Sequence, residues 1–306
     1  MNTENYYLEP NFSTGRVRLA VREYIPHNLK SILIVLHGMT EHMGRYEELA
    51  TGLCDVGIGV VGFDLPGHGC STSFGGAASF GENNWDCLVD YISKFVHLVK
   101  EKYNCPLYIM GFSLGSFLLR EYLCDNPTNL NGAIIVGTGV QPNIILRAME
   151  CIVSKEAEKV GFNNGSSFID NLSFGQYNKE VTNASTPYDW LCSDANAIAD
   201  YAIDDLCKKQ ISAGLFLQLL QSMRKTNNPK QYRTWNHKLP ILILSGTDDP
   251  VGGKGRGPQS VCDQLVAQGV SNTKMELLPG RHDIFHEHDN DTARKVIDFI
   301  VDFING

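Results

Sequence analysis

Short, wholly apolar runs recur along the chain: ILIVL at 32–36, GVVGF at 59–63, LYIMGF at 107–112, AIIV at 133–136 and ILIL at 241–244. Each is continuous where a strand with one wet face would alternate, so each reads as a strand buried on both faces. Helix-period segments separate the early runs. Tyr46 to Cys54 lies between the first two, and Trp85, Leu88, Val89, Ile92, Phe95, Val96 and Val99 recur at helical spacing before the third, behind a cap at Asn83 or Asn84. A half-exposed strand over Arg16 to Tyr24, a weaker one over Met275 to Leu278 and a last amphipathic helix over Thr292 to Phe303 complete the series. Strand and helix alternating in this way predict an α/β fold, a mainly parallel sheet covered by helices.

From Gln141 to Lys238 the alternation stops, and helical patterns and loops take over. The expected organisation is therefore a core of residues 1–140 and 239–306 with a mostly helical cap, 141–238, inserted into it. The strongest cap helices are Asn143 to Val160, with Ile144, Ile145, Ala148, Met149 and Ile152 on one face, and Ser212 to Met223, with Leu215, Phe216, Leu219 and Leu220. Such faces either pack on each other and the sheet or roof a site for an apolar substrate. Met149, Leu215, Phe216 and Leu219 are the candidates for the second role.

Composition narrows the partners. A formal charge of −8 over 306 residues opposes nucleic-acid binding, and 43% apolar with 20% charged residues is ordinary for a globular chain. The amino terminus has neither a basic nor an apolar targeting region, and no apolar run is long enough to span a membrane, so a cytoplasmic location is expected, with at most transient contact between cap and membrane surface. Nine cysteines are scattered without CxxC or Cys/His spacing, which predicts reduced thiols and no metal or other cofactor.

The chemistry is concentrated where strands end. Gly111-Phe112-Ser113-Leu114-Gly115 follows an apolar run and precedes a helical one, the setting in which G-x-S-x-G holds a serine at a strained turn with its hydroxyl exposed. A serine needs a base to take its proton and a third group to orient that base. SGTDDPV follows one late strand and GRHDIFHE the last, giving the order Ser, acid, His found in α/β-hydrolases. Asp248 and Asp249 compete as the acid, with Asp249 preferred. His282, His286 and His288 compete as the base, and His282, first after the strand, is preferred. Oxyanion donors are expected at the backbone N–H of Leu114 and, from the loop after ILIVLHG, of Met39.

HGMTEHMGRYEEL (37–49), FDLPGHGCS (63–71), GFSLG, SGTDDPV and GRHDIFHE together resemble the monoacylglycerol lipase and lysophospholipase branch of the α/β-hydrolases, over almost the whole chain. The resemblance implies Ser113, Asp249 and His282 as the triad, with Met39 and Leu114 as oxyanion donors. It further implies that the loop of Glu41 and Arg45 borders the leaving-group pocket, although a salt bridge or a helix-start role explains those two equally well. Members of that branch often carry His before the nucleophile. Phe112 stands there instead and cannot hydrogen-bond a glycerol hydroxyl, which favours a broad carboxylesterase with a small-molecule acyl ester as substrate. Two other readings remain open: an aminopeptidase or amidase on the same fold, holding a substrate amine with Asp200, Asp204 and Asp205, or a non-catalytic binding protein on a hydrolase scaffold.

Overall fold

A computed structural model describes residues 1–9, 11–12, 15–81, 85–125, 127–207 and 209–306, with the backbone alone at 11, 12, 15 and 16. The helix cap expected at Asn83 or Asn84 falls outside the described residues. Eight strands form one sheet: β1 (Asn2–Leu8), β2 (Leu19–Ile25), β3 (Ser31–Leu36), β4 (Ile58–Phe63), β5 (Leu107–Phe112), β6 (Gly132–Val136), β7 (Ile241–Gly246) and β8 (Thr273–Leu278). Their order across the sheet is β1-β2-β4-β3-β5-β6-β7-β8. β2 runs antiparallel to both its neighbours, and every pair from β4 to β8 is parallel.

The two-residue period of the strands sorts their side chains between two apolar layers. Ile32, Ile34 and Leu36 of β3 join one layer with Leu88 and Phe95 of α2 (Trp85–Tyr103), Leu118 of α3 (Leu114–Tyr122) and Val261 of α9 (Arg256–Ala267). Leu33 and Val35 join the other with Leu49 and Leu53 of α1 (Glu47–Asp55) and Val296 and Ile300 of α10 (Thr292–Asn305). Covering both faces explains why β3, β4, β6 and β7 are buried along their entire length and why their sequences do not alternate.

Two edges differ from the sequence reading. The strand expected over Arg16 to Tyr24 begins at Leu19, and Gly15–Arg16 pairs instead with Asn11–Phe12 in a separate ribbon. β1 has no counterpart in that reading. It is mostly exposed and is held by backbone pairing to β2 from Asn2↔Ile25 to Leu8↔Leu19, so it needs no apolar pattern. Tyr6 adds a hydrogen bond from its hydroxyl to the buried Glu23 carboxylate.

Between β6 and β7 the described residues add no strand to the sheet; they form α4 (Asn143–Val160), α5 (Ser167–Leu172), α6 (Phe174–Tyr177), α7 (Ala195–Ile203), α8 (Ala213–Thr226) and short 3-10 turns. Ser212 starts α8 by accepting the Leu215 amide at 3.1 Å. α4 packs along α8, and α8 against α3. The buried face of α4 differs from the expected one. Leu146 and Val153 are fully buried and Met149 partly so, whereas Ile144 is 79% exposed and Ile145 and Ile152 also face outward. This helix carries two apolar stripes, and helical period alone does not choose between them.

Candidate active site

Ser113 joins β5 to α3 at φ 50°, ψ −115°, a backbone conformation that costs a non-glycine residue about 1–3 kcal/mol. The surroundings enforce it. The Ser113 amide donates to the Val136 carbonyl of β6 at 3.0 Å, and the Ser116 amide and hydroxyl both donate to the Ser113 carbonyl. Close packing explains the flanking glycines: a Cβ on Gly111 would stand 2.3 Å from the Gly115 carbonyl oxygen, and one on Gly115 only 2.0 Å from that of Leu36.

His282 follows β8, and its Nε2 lies 2.8 Å from the Ser113 hydroxyl oxygen. Its Nδ1 lies 2.9 Å from Oδ1 of Asp249, in the turn after β7. That bond fixes the tautomer with the proton on Nδ1 and leaves Nε2 free to take the serine proton. Asp249 is wholly buried and held in turn: Oδ1 accepts the Val251 amide at 2.8 Å, and Oδ2 accepts the Ser245 hydroxyl. Asp248 is exposed and accepts only from the Thr247 hydroxyl among described residues. His286 turns away toward Asp283, and exposed His288 faces Glu48.

The loop after β3 is anchored by buried ions. Glu41 accepts the Gly38 amide, the Tyr46 hydroxyl and the Arg45 Nε, while Arg45 Nη2 donates to Asp283 Oδ2 at 2.6 Å. Burial pushes the Glu41 carboxyl up, with Arg45 opposing. Burial would also raise Asp283, but His286 and Arg45 outweigh it and hold that carboxyl well below the usual range. Desolvation acts to lower His286, and Asp283 overrides it, so its pKa rises. Arg45 is engaged in this network and does not line the small pocket beside Ser113. Glu41 does border that pocket, of about 20 Å³, together with Thr40, Tyr201 and Asp283.

Ser113 also lines an apolar cavity of about 220 Å³ bordered by residues of α4 and α8. Met39 and Leu114 line it alongside Ser113, as do Met149, Phe216 and Leu219. Leu215 does not. It is 1% exposed and packed within the apolar layer. Phe112 is 3% exposed; it borders the small pocket and packs against His282 and Phe285. Sequence patterns gave no hint of Phe174 and Tyr177, at the two ends of the short α6, or of Trp190 in an irregular segment, all of which line the cavity. Burial, with Asp249 nearby, pushes the Tyr177 phenol up to about 12 and keeps it neutral.

One group of metal-ligating atoms does converge: His42 Nε2, an Asp204 oxygen and Cys207 Sγ lie within 4.8 Å of one another. His42 Nδ1 accepts the Gly44 amide, so its proton sits on Nε2 and is given to Asp204 at 2.8 Å. A metal ion there would have to displace that proton and turn the ring's hydrogen bonding around. All nine cysteines are free thiols.

The family model described as serine aminopeptidase, S33 (Hydrolase_4) matches residues 27–289. The chain belongs to this family. A monoglyceride lipase homolog of Monkeypox virus is 25% identical over 279 residues, covering 88% of this chain and 87% of that one. The monoglyceride lipase of Rattus norvegicus is 24% identical over 276 residues, covering 88% and 80%. Among solved structures, a thermostable carboxyl esterase from Bacillus coagulans in complex with glycerol superposes with a TM-score of 0.85 at 24% identity, over 99% of each chain. A soluble variant of Saccharomyces cerevisiae monoglyceride lipase gives 0.74 at 18% identity, over 100% of this chain and 95% of that one. The fold is the α/β-hydrolase fold. No helix among the described residues is long and apolar enough to cross a membrane.

Proposed function

We propose that the chain hydrolyses carboxylic esters of small molecules with an apolar acyl group, using Ser113 as nucleophile, His282 as general base and Asp249 to orient the base. The observation that carries this reading is the unbroken hydrogen-bonded chain Asp249–His282–Ser113 at the mouth of an apolar cavity. Ser113 attacks the acyl carbonyl while its proton passes to His282 Nε2. The amides of Met39 and Leu114 receive the oxyanion, and His282 returns the proton to the departing alcohol. Water then repeats the sequence on the acyl-enzyme. Residues 141–238 act as a cap whose α4 and α8 roof the acyl group. The outward isoleucines of α4 suit transient contact with a lipid surface.

The family's description names an aminopeptidase, and such an enzyme must hold a substrate ammonium. Among the described residues no carboxylate lines the 220 Å³ cavity. Glu41 and Asp283, in the smaller pocket, are already engaged by Arg45. Asp200 and Asp204 face a separate polar cleft, where Asp204 bonds His42. The names of the relatives, monoglyceride lipases and a carboxyl esterase, suit the ester reading as well. The test is a panel of p-nitrophenyl esters of increasing chain length beside a monoacylglycerol, a lysophospholipid and an aminoacyl p-nitroanilide. Turnover of esters with little or none of the anilide is expected; preference for the anilide would overturn the assignment.

A further inference from the structure

Two aromatic rings pack against the catalytic imidazole. Phe112 lies with ring centroids 4.9 Å apart and planes 35° apart, and Trp190 at 5.3 Å and 31°. Both side chains are almost fully buried. Phe112 is placed by the backbone, next to the nucleophile. Trp190 comes from a loop of the insertion, remote in sequence from His282, so something must hold it there.

The holding is done by bonds that flank both residues. Arg281, just before His282, donates Nη1 to the carbonyls of Asp189 and Cys192, at 2.5 and 2.9 Å. The amide of Asp283, just after His282, donates to the Leu191 carbonyl at 2.6 Å. Ser193 then bonds Glu287 through both its amide and its hydroxyl. The outer face of Trp190 is stacked by Phe174 at 5.0 Å and 27°. A chance packing contact would need none of this tethering.

We propose that Trp190 is a positioning residue: with Phe112 it clamps the His282 ring and stabilises the imidazolium that forms when Ser113 gives up its proton. An aromatic face attracts a cation and offers no acceptor that would compete with Asp249 for Nδ1 or with Ser113 for Nε2. The charged and titratable groups around the ring are Asp249 on Nδ1, Tyr177 beside Trp190, Glu41 at the pocket wall, and Asp283 bound to Arg45 and His286. None of them lies between the two ring faces and His282. The role rests on the reading of His282 as general base.

The experiment measures kcat and KM for p-nitrophenyl butyrate from pH 5 to 9 with wild type, Trp190→Phe, Trp190→Leu and Arg281→Gln, beside fluorophosphonate labelling of each. Trp190→Leu removes the aromatic face and keeps apolar bulk. It should lower kcat about tenfold, with a range of about 3- to 30-fold, and move the limb on which the base titrates to lower pH by roughly half a unit to one unit. Trp190→Phe should stay near wild type in both. Arg281→Gln, which frees the loop, should shift the limb in the same direction by less. Should Trp190→Leu not fold, Trp190→Met carries the same prediction. Equal losses in the Phe and Leu variants, a change in KM with an unmoved limb, or a limb that moves to higher pH would overturn the proposal. If wild type is not labelled, the base assignment itself fails and the clamp with it; a labelled wild type with an unmoved limb rejects the clamp alone.

Discussion

Ser113 borders two regions of opposite chemistry. α4 and α8 cover a cavity that no ionised group lines among the described residues, whereas Glu41, Arg45, Asp283 and His286 form an ionic network beside the loop of Met39. Desolvating such ions costs several kcal/mol each, and apolar packing in their place is often as stable or more so. The network is therefore poor material for stability and good material for fixing geometry. It ties the loop after β3 to the segment carrying His282, through Arg45 and Asp283. The apolar side, by contrast, can bind an acyl group and has nothing with which to polarise it. Binding and positioning are thus assigned to different regions around one serine.

The largest effects should come from the residues at the boundary. Asp249→Asn should lower kcat about 10⁴-fold by favouring the wrong His282 tautomer, whereas the exposed Asp248→Asn should stay within a few-fold of wild type. Steady-state kinetics on one ester decides this, and equal losses would remove the distinction. Next, Arg45→Leu leaves Glu41 and Asp283 without their shared cation and should cost about 3–5 kcal/mol in urea unfolding. A loss below about 1 kcal/mol would mean that the ions on this side are not coupled.

Acid sensitivity should come from two buried histidines outside that network. His37 is fully buried: Nε2 accepts the Leu65 amide at 2.8 Å and Nδ1 meets the Gly38 carbonyl at 2.7 Å, an arrangement that requires a neutral ring. Burial pushes His37 and its neighbour His68 down to about 3. Both bind protons in the unfolded chain, with a pKa of about 6.5, before they do so in the folded one. Their contribution is complete above that value and falls as the pH drops toward 3, by about 1.4 kcal/mol per unit for each group. Urea unfolding at pH 6 and pH 5 should differ by roughly 2–3 kcal/mol from the two together, with about half of that difference lost in His68→Phe. An unchanged slope in that variant would contradict the assignment. The smallest effect belongs to the apolar side. Leu219→Trp, which narrows the cavity, should shift preference toward shorter acyl esters by about tenfold and leave the pH dependence of stability alone.

What the sequence made legible was local. The buried strands of the sheet announce themselves as continuous apolar runs, and Gly111 and Gly115 mark a turn that no Cβ could enter. The choices of Asp249 over Asp248 and of His282 over His286 followed from position after a strand, and burial and hydrogen bonding now separate each pair. What stayed hidden depends on distant partners. Arg45 and Asp283 lie 238 residues apart, so the sequence could offer a salt bridge and a pocket role for Arg45 without deciding between them. Trp190 sits in an irregular loop and acquires its place only through Arg281, Asp283 and Glu287. α4 has two apolar stripes, and only docking on α8 reveals that Leu146, Met149 and Val153 face inward while Ile144 and Ile152 do not. β1 is invisible to hydrophobic pattern because an edge strand is held by its backbone.

The central claim, that His282 activates Ser113 beside an apolar cavity, is tested most directly by labelling with an alkyl fluorophosphonate followed by peptide mass mapping. One adduct is expected, on the peptide containing Ser113, forming at least a thousandfold more slowly in a folded His282→Ala variant. An adduct on another residue, or equal rates in wild type and His282→Ala, would contradict it.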